Sequence, residues 1–213
     1  MLKYQLKQIK SNVMINTIVF DFGGVLIDWN PKYVYRSMFN DDAKMDWFLS
    51  NVCTNDWNLE QDRGRSFAEG TAILRKDFPE YSDYIDTFHS KWEQMVKGEI
   101  LETVMILKEL KRTYKIYGLT NWSAETFPIA LNRFDFLQLF DGIVVSGEEK
   151  MIKPDKQFFQ LLLNRYKLKA AECIFIDDNR KNIEAAYELG FNVIHFSSPE
   201  NLRAELKARK ILK

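Results

Sequence analysis

The sequence predicts an α/β fold, a parallel sheet with helices on both faces, interrupted by an all-helical insertion. Three observations predict it. Short apolar runs end four times in a polar cluster, at Asp21, Thr120-Asn121, Ser146-Gly147 and Asp177-Asp178. Helix-period segments separate those runs, and strand alternating with helix is the pattern of parallel strands covered on both sides. The interval from about Asn30 to Gly98 breaks the rhythm, because it has no clear strand and is rich in aromatic and charged residues.

Taken in order, residues 1–13 (MLKYQLKQIKSNV), with three lysines, read as an N-terminal extension or a short peripheral helix. Met14 stands directly before the first strand and is an alternative start. Ile15 to Phe20 (INTIVF) is β-rich and empties at Asp21 into Gly23-Gly24, a buried strand followed by a tight loop. Further strands are expected over Tyr114 to Leu119, Gly142 to Val145, Cys173 to Ile176 and Val193 to Phe196. Leu101 to Lys111, Asp155 to Lys167 and Lys181 to Leu189 carry helical periodicity, and Gly190 is a terminator for the last of them. The α/β core is thus expected over 1–29 and 99–213, and the helical insertion over 30–98. In open parallel sheets ligands bind beyond the carboxyl ends of the strands, where all the polar clusters fall.

Composition narrows the function classes. With 213 residues, 46% of them apolar, the chain can bury one good core and a modest elaboration. Thirty basic residues balance thirty acidic ones, so no global field steers the protein toward nucleic acid or an anionic membrane. Any anion must be held locally. Cys53 and Cys173 match no metal-ligand spacing and read as free thiols of a reducing compartment. The apolar runs are too short to span a bilayer, and the N-terminus lacks the apolar stretch of a signal peptide. A cytoplasmic protein is the expectation.

Four groups of residues can carry chemistry. Asp21, in FDFGGVL, is a carboxylate at a strand end followed by glycines that free the backbone to approach a ligand; such a group can be a nucleophile and a metal ligand together. Thr120 and Asn121 offer a hydroxyl and an amide to an anion, or alternatively cap a helix. Lys153, in EEKMIKPD, is positioned by Pro154 and can neutralise a nucleophile and a phosphoryl group, whereas Lys150 reads as a solvated surface residue. Asp177-Asp178, in FIDDNRKNIEAA, brings two acids together at a strand end. That costs energy unless a cation shares them, and hard oxygen ligands suit Mg²⁺.

These groups follow one another in chain order at successive strand ends, and together they make the sequence resemble the haloacid dehalogenase superfamily with a helical cap after the first strand. The similarity runs over about 15–200 and is strongest toward the branch of sugar-1-phosphate phosphatases and the phosphatase domain of epoxide hydrolases. The resemblance implies a Rossmann-like sheet and a Mg²⁺-dependent hydrolase of a small phosphorylated metabolite. It makes Asp21 the nucleophile that becomes an aspartyl-phosphate. The metal would be held by Asp21, the Gly23 carbonyl and Asp178, with Asp177 and Asn182 supporting it. Thr120 and Asn121 would hold phosphoryl oxygens, and Lys153 would pair with Asp21 and the phosphate.

One departure bears on the chemistry. Most phosphatases of the superfamily carry a second aspartate two residues after the nucleophile, which protonates the leaving group and later activates water. Here Gly23 holds that position, as it does in some phosphatases of the same branch. Two other readings compete: a metal-free haloacid dehalogenase, which gains little from the crowded Asp177-Asp178 pair, and a non-catalytic phosphate-binding or regulatory protein. Specificity is expected from the insertion, where Trp57, Glu60, Asp62, Arg63 and Arg65 cluster, and from Trp29 and Trp122 near the motif loops. The same residues equally suit surface charges and core aromatics. Oligomeric state is not readable from the pattern.

Overall fold

The computed structural model describes residues 13–213; the expected N-terminal extension, apart from Val13, lies outside them. Five strands form one parallel sheet: β1 (Thr17–Phe20), β4 (Lys115–Thr120), β5 (Gly142–Val145), β6 (Cys173–Asp177) and β7 (Asn192–His195), in the order β5-β4-β1-β6-β7. β1 is central, pairing Phe20 with Gly118 of β4 on one side and with Ile176 of β6 on the other. The chain leaves β1 toward β4 and β5, then returns to β6 and β7. That reversal opens a crevice at the carboxyl ends of β1 and β6, the place where such sheets bind ligands.

Every residue of β1 and β6 is buried, which is why their sequences lack apolar–polar alternation. Alternate side chains feed two cores. Ile18, Phe20, Ile174 and Ile176 face one layer, with helices α6 (Leu101–Leu110) and α11 (Pro199–Ala208). Val19, Cys173 and Phe175 face the other, with Phe158, Phe159 and Leu162 of α9 (Lys156–Tyr166) and Ile183 and Ala186 of α10 (Arg180–Glu188). Both layers are needed to cover the sheet. Gly190 ends α10 as expected: it adopts φ +92°, a conformation open to glycine, and its N–H donates to the Tyr187 carbonyl.

From Asn30 onward the chain is helical, as α1 (Lys32–Tyr35), α2 (Asp42–Asn51), α3 (Asn55–Asp62), α4 (Phe67–Asp77) and α5 (Ser82–Ser90). The starts are written locally: Asp41 and Thr54 accept from the first-turn amides of α2 and α3, and Ser66 with Glu69 closes a capping box on α4. The interval is not free of strand. β2 (Ile27–Trp29) pairs antiparallel with β3 (Val96–Glu99), so the chain enters and leaves the helical segment through one two-stranded ribbon. VKGE carries no strand periodicity; its pairing with β2 makes it a strand. The remaining helices are α7 (Phe127–Arg133) and α8 (Ser146–Glu149). Among the described residues no helix is long and apolar enough to cross a membrane.

Candidate active site

Asp21 stands one residue beyond β1, 8% exposed, with its Oδ1 accepting the Phe22 N–H at 2.7 Å. Lys153 reaches the same point from the segment before α9. Its Nζ lies 2.9 Å from Asp21 Oδ2 and 2.7 Å from Asp177 Oδ2, and the lysine is fully enclosed at 2% exposure. Lys150, three residues earlier, is exposed. The contrast between the two lysines expected from Pro154 is therefore what the fold produces.

Asp177 is saturated with donors. Besides Lys153 it accepts the Asn179 N–H at 2.7 Å and the Asn182 amide at 3.0 and 3.1 Å. Its neighbour Asp178 is exposed, and oxygens of Asp21, Asp177 and Asp178 come within 4.8 Å of one another. Burial pushes the Asp21 carboxyl up, against the pull of Lys153, and the charges of Asp177 and Asp178 add to the rise. Burial and Asp177 raise Asp178 as well. For Lys153 burial works against the charge, but the carboxylates of Asp177 and Asp21 prevail and hold the ammonium above the ordinary lysine range. Three crowded carboxylates against one ammonium leave negative charge that a cation would relieve.

Asn121, at the end of β4, is spent largely on Lys153. Its Oδ1 accepts the Lys153 N–H at 2.8 Å, and its Nδ2 donates to the Lys153 carbonyl at 3.0 Å, a two-point clamp that fixes the lysine's backbone. One hydrogen of that amide remains for a ligand. Thr120 is completely buried, and its Oγ1 finds no partner among the described residues. An orphaned buried hydroxyl costs about 1–3 kcal/mol, and this one is free to take up a ligand oxygen.

Beside Gly23 lies a cavity of about 120 Å³, lined also by Trp29, Asp62, Trp92, Asn121 and Trp122. Of the residues in DWNLEQDRGR, Asn58 and Asp62 reach it. Trp57 is buried and donates to the Gly70 carbonyl, Arg65 braces Gln61 and the Trp57 carbonyl, Arg63 pairs with Asp155 at 3.2 Å, and Glu60 is exposed. Trp29 and Trp122 stand where their proximity to the motif loops puts them. Trp92 and Ser146 carry no comparable signal in the sequence. Ser146 closes the wall by accepting the Trp122 N–H at 2.8 Å and donating to the Asp62 carbonyl at 2.5 Å, and its place at the Ser146-Gly147 strand end is the only pointer to it.

Gly24 is held at φ +71°, and a Cβ there would sit 2.6 Å from Asp178 Oδ2. Gly24→Ala is therefore expected to cost about 1–3 kcal/mol through backbone strain and to displace the Asp178 carboxylate. Urea denaturation of the two proteins measures this, and equal midpoints would contradict it.

The comparisons with known proteins agree with this geometry. The model of the haloacid dehalogenase-like hydrolase family matches residues 18–196. A sesquiterpene phosphatase of Aspergillus oryzae is 28% identical over 196 residues, covering 84% of this chain and 88% of its own length. Acyl-CoA dehydrogenase family member 10 of Mus musculus is 42% identical over 211 residues, and a drimenol cyclase of Aspergillus calidoustus 26% identical over 199. Matches to these two cover 90% and 91% of this chain, but only 19% and 36% of their own lengths. A HAD family enzyme of Bacteroides thetaiotaomicron, solved with magnesium and inorganic phosphate, shares the fold at TM-score 0.65 and 22% identity, over 84% of this chain and 93% of that one. Sheet order, the Asp21–Lys153–Asp177 cluster and the family match along most of the chain lead to one assignment: the chain belongs to the haloacid dehalogenase-like hydrolase family.

Proposed function

We propose that the protein hydrolyses a small phosphomonoester, with Asp21 as nucleophile. The observation that carries this reading is the joining of a buried carboxylate to a buried ammonium 2.9 Å away, beside an orphaned hydroxyl on Thr120. In the forward step an Asp21 oxygen attacks phosphorus, the bond to the leaving oxygen breaks, and an aspartyl-phosphate results. Water then attacks that phosphorus and frees Asp21 and inorganic phosphate. Thr120 and the remaining Asn121 hydrogen hold phosphoryl oxygens, while Lys153 offsets charge on the nucleophile and the phosphoryl group. Asp177, anchored by Asn182, keeps Lys153 in place.

The donor set fits Mg²⁺. Asp21 and Asp178 would supply hard carboxylate oxygens and the Gly23 carbonyl would be the third protein ligand, while Asp177 is already occupied by Lys153. When bound, the ion would neutralise charge on the transferring phosphoryl group. We take 30–98 as a cap over a core of 1–29 and 99–213, since Asp62 and Trp92 come down to the cavity beside Gly23. The phosphatase named among the relatives supports the same reaction class. Two buried free thiols suit a cytoplasmic setting.

Purified protein assayed on a panel of phosphomonoesters tests the reading. Phosphate release is expected with Mg²⁺, at background with EDTA, and restored when Mg²⁺ is returned in excess. Turnover indifferent to EDTA would remove the metal from the proposal. Silence across the panel would favour a protein that binds phosphate without turning it over.

A further inference from the structure

Gly23 leaves the site without a proton donor for the leaving group, and the fold brings another acid to the same place. We propose that Asp62, the last residue of α3, is the general acid and base of this site, supplied from the helical segment in place of the residue that Gly23 lacks. The inference rests on the phosphatase reading.

Three observations place it. Asp62 lines the cavity together with Gly23, Asn58, Asn121 and Trp122, beside the nucleophile's loop. It is held there: its backbone carbonyl accepts the Ser146 hydroxyl, Asn58 Nδ2 donates to its Oδ2 at 3.3 Å, and the Ser123 backbone N–H reaches its carboxylate. Arg63 and Arg65 of this segment pair elsewhere, Glu60 is exposed and Asn58 brings only an amide, leaving Asp62 as its one acid at the cavity. Its environment suits the task. Burial pushes its pKa up to about 7, despite the Ser123 N–H and the Lys153 charge, so both protonation states are populated near neutrality.

The proton accounting closes. As Asp21 attacks and the P–O bond to the leaving group breaks, the Asp62 carboxyl gives its proton to the departing oxygen, which leaves as an alcohol. In the second step Asp62, now a carboxylate, takes a proton from the water that attacks the aspartyl-phosphate. The enzyme returns to its starting state. A tie between α3 and the loop after β4 is the purely structural alternative, and leaving-group dependence separates the two.

The experiment compares kcat/KM for glycerol 2-phosphate, whose alkoxide needs a proton, with that for p-nitrophenyl phosphate, whose phenolate leaves without one. kcat/KM covers the steps through departure of the first product, so it isolates the acid role. Asp62→Asn keeps the shape and one acceptor oxygen for the Ser123 N–H or Asn58 Nδ2; Asp62→Ser replaces it if the first variant fails to fold. The expected loss is about 10²- to 10⁴-fold on glycerol 2-phosphate and less than about tenfold on p-nitrophenyl phosphate. A Cβ at Gly23 meets nothing within 4 Å, so Gly23→Asp has room, and adding it to Asp62→Asn is expected to recover much of the loss. An unchanged ratio of the two kcat/KM values overturns the assignment, whether both fall together or neither moves. Wild-type turnover with that unchanged ratio leaves the phosphatase reading standing; a wild type inactive on both compounds overturns that reading and this assignment with it.

Discussion

Asp21→Asn is expected to lower phosphate release by roughly 10⁴-fold or more while the protein stays folded. An amide cannot attack phosphorus, and no other carboxylate can take over. Asp177 is tied to Lys153, Asn179 and Asn182, and Asp178 is held beside Gly24. The fold should tolerate the exchange, because the substituted amide would still offer an oxygen to the Phe22 N–H, would remove one charge from three crowded carboxylates, and would leave Lys153 its second counter-ion, Asp177. The thermal midpoint is therefore expected to match the wild type or exceed it. Intact-mass spectrometry of wild type quenched during turnover should show one added phosphoryl group that the variant lacks. Phosphate release surviving in Asp21→Asn would refute the nucleophile assignment outright.

The sheet was legible because its strands leave little choice. TIVF and CIFID are apolar almost from end to end, and such runs ending in acids fit only strands buried on both faces that deliver their polar residues to one edge. Lys153 was legible for a similar reason: Pro154 fixes the backbone, and the fold buries that lysine while leaving Lys150 in solvent. What escaped depends on partners distant in sequence. VKGE becomes a strand only against Ile27–Trp29, and PENLRAELKA, a helix beyond those expected from periodicity, is capped by Ser198 and packs Leu202 and Leu206 into the core. DWNLEQDRGR shows the same limit within one segment. Its composition announces polar and aromatic residues near a site, but only the placement of α3 against the Trp122 loop and Ser146 selects Asp62. The Asn121 clamp on Lys153 spans 32 residues of chain and leaves no periodic trace.

Lys153→Met is the second large effect, and here stability falls along with activity. The methionine keeps roughly the volume of the lysine side chain but removes the ammonium that lies 5.6 Å from the Phe175 ring centroid, and leaves Asp21 and Asp177 facing each other without that shared charge. Removing one partner from a buried ion pair costs about 3–5 kcal/mol, because the remaining charge is stranded out of water. The sign of the pH dependence follows from Asp21. Burial holds its folded pKa above the ordinary carboxylate range, and loss of Lys153 removes the group that lowers it. A carboxyl raised on folding favours the folded state fully below its unfolded pKa, and that contribution disappears as pH climbs through the folded value. The variant's deficit is thus expected to be largest at pH 8 and above and to shrink toward pH 4, where Asp21 takes up a proton and the wild-type lysine loses that counter-charge. Urea denaturation at pH 5 and pH 8, run beside the phosphate-release assay, checks both claims. A variant that unfolds with the wild type at both pH values would mean that the Asp21–Lys153–Asp177 cluster adds nothing to the fold, and the enclosed lysine would then answer to catalysis alone.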